Sequence, residues 1–130
     1  MKNEPTDELL KTLFECIDAM DTDGVLALLA PDARYRFASA PEIQGHDEIR
    51  EAFEGVYASI AGIRHQLLGR WDGEGSLVVE GLTTYTRHDG SEVIVPFCDV
   101  FELDGGLVSS YRIYADLAPL FEGAPAEAGN

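Results

Sequence analysis

One carboxylate in this chain sits among residues that should face a core. In the run Val93–Leu103, alternate residues Val93, Val95, Phe97, Asp99, Phe101 and Leu103 share one side, because strand side chains alternate with period 2. Five of the six are apolar. Burying even a neutral polar group without a partner costs roughly 2–7 kcal/mol, so Asp99 needs either a partner or a function. An apolar surround would raise its pKa and leave it neutral as an acid or poised as a base. A nearby Arg34, Arg36, Arg87 or Arg112 would instead pair with it and lower its pKa. His65 is the second candidate, in the alternating run Ile63-Arg64-His65-Gln66-Leu67. Facing inward, its imidazole would serve as a general base near neutral pH; otherwise it is a structural or surface histidine.

A substrate held between Asp99 and His65 would need walls. The expected lining is Tyr35, Tyr57, Trp71, Phe97, Phe101, Tyr111 and Ile113. Tyrosines among these would orient a ligand or donate to a developing oxyanion. His46 reads as part of a helix start and His88 as exposed beside Asp89-Gly90. The scattered histidines and the two cysteines, Cys16 and Cys98, have no metal-ligand spacing, so no metal is expected. No Gly-rich nucleotide loop is present, so no cofactor is expected either. Asp116 lies on the parity of Arg112 and Tyr114, opposite Tyr111, Ile113 and Ala115, and is placed to cap a helical turn at Leu117.

The elements that would position these groups follow from spacing. Thr6 begins a first helix running to about Met20, with Leu9, Leu10, Leu13, Phe14 and Ile17 at helical intervals. Asp23 caps a short second helix through Leu29, ended by Pro31. Ala33–Phe37 alternates like an edge strand, and Pro41 to Gly45 reads as irregular. His46-Asp47 opens a third helix with Ile49, Ala52, Phe53, Val56, Tyr57 and Ile60 on one stripe. Four strands follow, at Ile63–Trp71, Ser76–Arg87, Val93–Leu103 and Leu107–Ala115, separated by Gly-containing turns. Leu117–Phe121 reads as one helical turn, and residues 1–5 and 122–130 as disordered tails.

Helices first and then a long antiparallel meander describe one α+β domain over residues 1–130. Three N-terminal helices would pack on a curved, mainly antiparallel sheet, making a cone that encloses a pocket. The chain has 130 residues with 24 acidic against 9 basic side chains, a net charge of −15. That excess argues against nucleic acid, which needs clustered Lys and Arg. No apolar run approaches the ~20 residues of a membrane span. The polar N-terminus does not read as a secretory signal, so a cytoplasmic location is expected.

Several stretches carry a family resemblance. They are Asp23-Gly24-Val25-Leu26-Ala27-Leu28-Leu29-Ala30-Pro31-Asp32-Ala33, Ile43-Gln44-Gly45-His46-Asp47-Glu48-Ile49, and Tyr111-Arg112-Ile113-Tyr114-Ala115-Asp116. With the element order, they resemble the nuclear transport factor 2-like superfamily, in its SnoaL-like polyketide-cyclase branch. The resemblance implies the cone-shaped α+β fold over nearly the whole chain. Asp99 matches an Asp that ketosteroid isomerases keep as a neutral acid and that limonene-epoxide hydrolases keep in a triad. The isomerase's base Asp falls near Phe37 and its helix Tyr near Leu13; the hydrolase's Arg falls at Phe97 and its second Asp at Ile113. His65 matches an acid–base histidine of scytalone-dehydratase-like relatives. These comparisons imply a cofactor-independent isomerase, cyclase, dehydratase or related lyase acting on a small apolar or aromatic molecule, with Asp99 and His65 catalytic. The alternatives are a dimeric binding module and a hydrophobic-ligand carrier. A homodimer through the open sheet face, with Ile94, Val100 and Tyr114, fits all three.

Overall fold

The two-residue turn Gly105-Gly106 sets the geometry of the hairpin that carries Asp99. Both glycines have positive φ, 62° and 86°, as a tight hairpin turn matching the strands' right-handed twist requires. The computed structural model describes residues 4–121. Of the two expected tails, residues 1–3 and 122–130 lie outside the described residues, while Glu4 and Pro5 begin the first helix. The elements are α1 (Glu4–Asp18), α2 (Thr22–Leu26), β1 (Leu29–Phe37), β2 (Ile43–Gln44), α3 (His46–Ala58), β3 (Gly62–Gly73), β4 (Ser76–Thr86), β5 (Glu92–Asp104), β6 (Leu107–Ala115) and α4 (Ala118–Phe121). They form the expected α+β cone, with helices packed on a curved six-stranded sheet.

Strand order is β2-β1-β6-β5-β4-β3. All pairs are antiparallel except β1 with β6. That parallel pair brings the N-terminal half beside the last strand, with Tyr35 opposite Tyr111 and Phe37 opposite Ile113. Register shifts between Leu67 and Gly69 on β3 and between Glu102 and Leu103 on β5 mark bulges, which bend strands and increase twist. The sheet therefore curls around the apolar stripes of α1 (Leu10, Leu13, Phe14, Ile17) and α3 (Ile49, Phe53), all buried. A second cluster, Ile60, Tyr85, Val95 and Leu120, fills the end beneath α4. Arg87 secures α4 by donating to the carbonyls of Leu120 and Pro119, and Asp116 accepts from the Ala118 N–H at 3.0 Å as its cap.

Several local expectations need correction. The first helix ends at Asp18 rather than Met20, which sits in a left-handed turn at φ 57°. Asp21, not Asp23, caps α2, accepting from the Gly24 N–H at 3.0 Å; Asp23 instead holds Arg50. The second helix stops at Leu26, and Leu29 through Pro31 belong to β1. Non-local pairing decides this: the Val108 N–H donates to the Leu28 carbonyl, and Leu29 faces Val108. Pro31 is tolerated because the β1–β6 register slips between Leu29 and Arg34, where its missing N–H costs no ladder bond. The stretch read as irregular contains β2, so β1 is not an edge.

Gly81 lies on β4 between β3 and β5, opposite Leu67 and Phe97. A Cβ there would lie 2.1 Å from the Gln66 carbonyl oxygen and 3.0 Å from the Phe97 ring, and backbone has no rotamer with which to yield. Gly81→Ala is expected to lose about 1–3 kcal/mol, the usual cost of overpacking. Urea unfolding should show the midpoint fall with the slope unchanged; an unaltered midpoint would mean that β3 shifts freely.

Candidate active site

Inward residues of the sheet and the buried faces of α1 and α3 leave an apolar cavity unfilled. Its empty space is about 500 Å3, counting the part open to solvent. Aromatic and aliphatic walls come from Ile17, Phe37, Phe53, Val56, Tyr57, Ile63, Phe97 and Ile113. Polar atoms enter from six side chains: Tyr35, His65, Thr83, Tyr85, Asp99 and Tyr111. Strands β3 and β5 thus bring His65 and Asp99 to one space.

Asp99 is 1% exposed, between Val79 of β4 and Ile113 of β6. No arginine meets it. Arg34 is held by Glu42, Arg112 by Glu102 and Ser110, and Arg87 by the α4 carbonyls. Its one protein partner among the described residues is the Tyr111 hydroxyl, which donates to Oδ2 across a long 3.5 Å. Oδ1 is buried with no partner. Desolvation therefore holds the Asp99 pKa well above the usual carboxylate range, only partly offset by Tyr111. A carboxyl in that environment holds its proton to higher pH than usual, and in the protonated form, with Oδ2 accepting from Tyr111, Oδ1 is the oxygen left to donate.

The tyrosines are tuned by the same burial. Desolvation pushes the Tyr111 and Tyr35 hydroxyls well above their ordinary pKa, and Asp99 adds to this where it is ionised. Tyr85 is pushed up to about 12 for the same two reasons. All three are neutral donors at physiological pH. Tyr111 is clamped by Phe101, stacked at 4.5 Å, and by Tyr35, edge-on at 5.4 Å. Tyr57 differs: its hydroxyl donates to the Ile17 carbonyl at 3.2 Å, so it shapes the wall and has no proton free for a ligand.

His65 faces inward and is ordered by α1. Asp18, the last residue of α1, places Oδ1 2.6 Å from His65 Nδ1 and accepts the His65 backbone N–H on Oδ2 at 3.0 Å. A carboxylate only accepts, so the Nδ1 proton points to Asp18 and the neutral ring carries its lone pair on Nε2. Nε2 has no protein partner among the described residues. The rings of Phe14 at 4.9 Å and Phe97 at 5.3 Å hold the imidazole between them.

Of the residues expected to line a pocket, Tyr35, Tyr57, Phe97, Tyr111 and Ile113 border this cavity and two others do not. Trp71 is outside: it opposes Val78 on the outward side of the sheet and is 56% exposed, because the β3 bulge reverses the alternation that counting from His65 implies. Phe101 lies behind Tyr111, so it supports the wall rather than lining it. Asp18, Tyr85 and Thr83 were missed. The β4 alternation could have exposed Tyr85 and Thr83 as inward residues. Asp18 has no local signal, since it meets His65 across 47 positions. Among the described residues no three His, Cys, Asp or Glu side chains gather as metal ligands.

The match to known proteins agrees with this architecture. Residues 10–111 fit the SnoaL-like domain model. The chain belongs to the SnoaL-like domain family. Three solved structures place the SnoaL-like chain among its folds. An NTF2-like protein of unknown function from Burkholderia pseudomallei is 23% identical with TM-score 0.82, covering 91% of this chain and 95% of that one. TerC, co-crystallised with polyporic acid, is 18% identical with TM-score 0.82, covering 92% and 97%. An LEH-like epoxide hydrolase of M. tuberculosis is 20% identical with TM-score 0.74, covering 89% and 86%. No curated protein sequence matches this SnoaL-like chain.

The raised pKa makes a signed prediction. Asp99 binds its proton more tightly folded than unfolded, so its contribution to stability is full below the unfolded value near 3.9 and is lost as pH rises toward the folded value. Asp99→Asn, which mimics the protonated form, should lack that loss. Its stability relative to the parent chain should grow with pH above about 4, at no more than about 1.4 kcal/mol per unit. Denaturant melts from pH 4 upward measure this; a parent chain that instead gains on Asp99→Asn would mean a depressed, ion-paired carboxyl.

Proposed function

We propose that this protein is a cofactor-independent acid–base enzyme acting on a small, largely apolar molecule that carries a carbonyl. The observation that supports this best is the buried, unpartnered Oδ1 of Asp99 in the same cavity as a histidine whose Nδ1 is held by Asp18. His65 Nε2 takes a proton from the carbon next to the carbonyl. The electron pair moves onto the carbonyl oxygen, which is stabilised by the neutral Asp99 carboxyl and a tyrosine hydroxyl. Returning the proton to another carbon completes an isomerisation, expelling a β-hydroxyl as water completes a dehydration, and attack on an internal electrophile completes a cyclisation. Each positioned acid or base contributes about 10²–10⁴-fold, and donors in a water-poor site act more strongly than in water. Asp18 holds the tautomer and steadies the imidazolium that forms.

Neutral cyclic enones and aryl ketones serve as probes, with deuterium uptake at the carbon next to the carbonyl followed by NMR. The parent chain should exchange these positions faster than buffer. His65→Gln and Asp99→Leu should each lower the rate about 10²–10⁴-fold. Binding without exchange by the parent chain would overturn the enzyme reading in favour of a carrier. Asp18→Asn should lower kcat more than it raises KM, because Asp18 positions the His65 ring. An unchanged kcat would remove Asp18 from the mechanism.

A further inference from the structure

The cavity has a carboxyl in its wall and no cation to face it. Among the described residues no lysine or arginine lines it, and Asp99 Oδ1 is buried there without a partner. The rings around this carboxyl stand as walls. Tyr111 meets Tyr35 at 74° and 5.4 Å, Tyr35 meets Phe53 at 42° and 5.1 Å, and Phe53 meets Tyr57 at 76° and 5.9 Å. Rings turned at such angles from one to the next make the sides of a box rather than a stack, and all four line the cavity.

Such a box attracts an organic cation in two ways. Aromatic faces carry partial negative charge and hold ammonium groups, and a carboxylate accepting from a charged N–H makes a strong hydrogen bond. Nothing else facing the cavity opposes a positive charge. His65 donates from Nδ1 to Asp18, leaving a lone pair on Nε2, and the phenols of Tyr35, Tyr57, Tyr85 and Tyr111 are neutral. The chain's net charge of −15 draws cations toward it. The walls also restrict which cation fits. A metal ion needs several oxygen ligands, and a polyamine brings more charges than one carboxylate can meet. We infer that the cavity binds a small hydrophobic ammonium ion, a protonated secondary or tertiary amine, with its N–H donated to Asp99 Oδ1 and its alkyl groups against Tyr35, Phe53, Tyr57 and Tyr111. The bound cation exchanges for a proton: Asp99 protonated in the free protein releases its proton to solvent as the ammonium arrives. This inference does not rest on the enzyme reading. Exchange of neutral ketones and binding of amines are separate measurements, and in an active enzyme the amine competes with the ketone.

N,N-dimethylbenzylamine and the uncharged N,N-dimethylbenzamide are the probes, titrated into the full chain by calorimetry. At about pH 8 an aliphatic amine is charged, and it should bind about 10–10²-fold more tightly than the amide, the range of a hydrogen bond to a charged group. Amine affinity should rise from about pH 5 to about pH 8 as the competing proton leaves Asp99, while amide affinity should not. Asp99→Asn should abolish the rise and bring the amine down to the amide's affinity, with circular dichroism checking its fold. A charged His65 would repel the same cation, so His65→Gln is the control and should keep the rise. The comparison of probes on the parent chain needs no variant. An amide that binds as tightly as the amine overturns the proposal. So does an amine affinity that is flat with pH, or a rise that disappears in His65→Gln, since Asp99 then does not exchange its proton for the ligand.

Discussion

A carboxyl buried without a cation is the constraint on which the site depends. Asp99 has an apolar residue on each side along its strand face, Val79 and Ile113 opposite it, and one long hydrogen bond from Tyr111. In such surroundings the ionised form is too costly and the neutral form persists. The arrangement around it maintains that state. Of the arginines that might have neutralised it, Arg34 and Arg112 pair with acids and Arg87 with the α4 carbonyls. The phenols beside it are neutral too, because the same burial raises them.

His65 makes a contrasting environment in the same cavity. It has a carboxylate partner in Asp18, and that partner fixes which nitrogen carries the proton. One cavity therefore holds a carboxyl kept neutral by isolation and an imidazole ordered by pairing. Under the proposed function, this separation by environment would make Asp99 the acid and His65 the base. The apolar walls are part of the same device, since aromatic side chains both exclude water and keep Asp99 protonated.

The inward and outward sides of one sheet serve different ends. The inward side gathers Asp99, His65 and the buried tyrosines, while the outward side exposes Trp71, Ile94 and Tyr114. Period-2 alternation makes this possible, because neighbouring positions on β5 belong to different surfaces. The bulge near Leu68 reassigns Trp71 from one surface to the other, so one inserted residue on β3 moves the lone tryptophan from the expected pocket to the outer face.

Local pattern alone was enough to read the four long strands, the hairpin turn at Gly105-Gly106, the amphipathic stripes of α1 and α3, and the inward placement of Asp99. Each depends on residues close in sequence: alternation, turn glycines and 3.6-residue spacing. The resemblance to SnoaL-like proteins rested on such runs as well. Tertiary structure decided the rest. The parallel pairing of β1 with β6 overrode the helical pattern through Leu29, because backbone bonds to Val108 outweigh a weak local preference. The lack of an arginine beside Asp99, and the seating of Asp18 on His65, depend on how distant segments cross. A cavity is what packing leaves unfilled, so no run of neighbouring residues encodes which groups meet inside it.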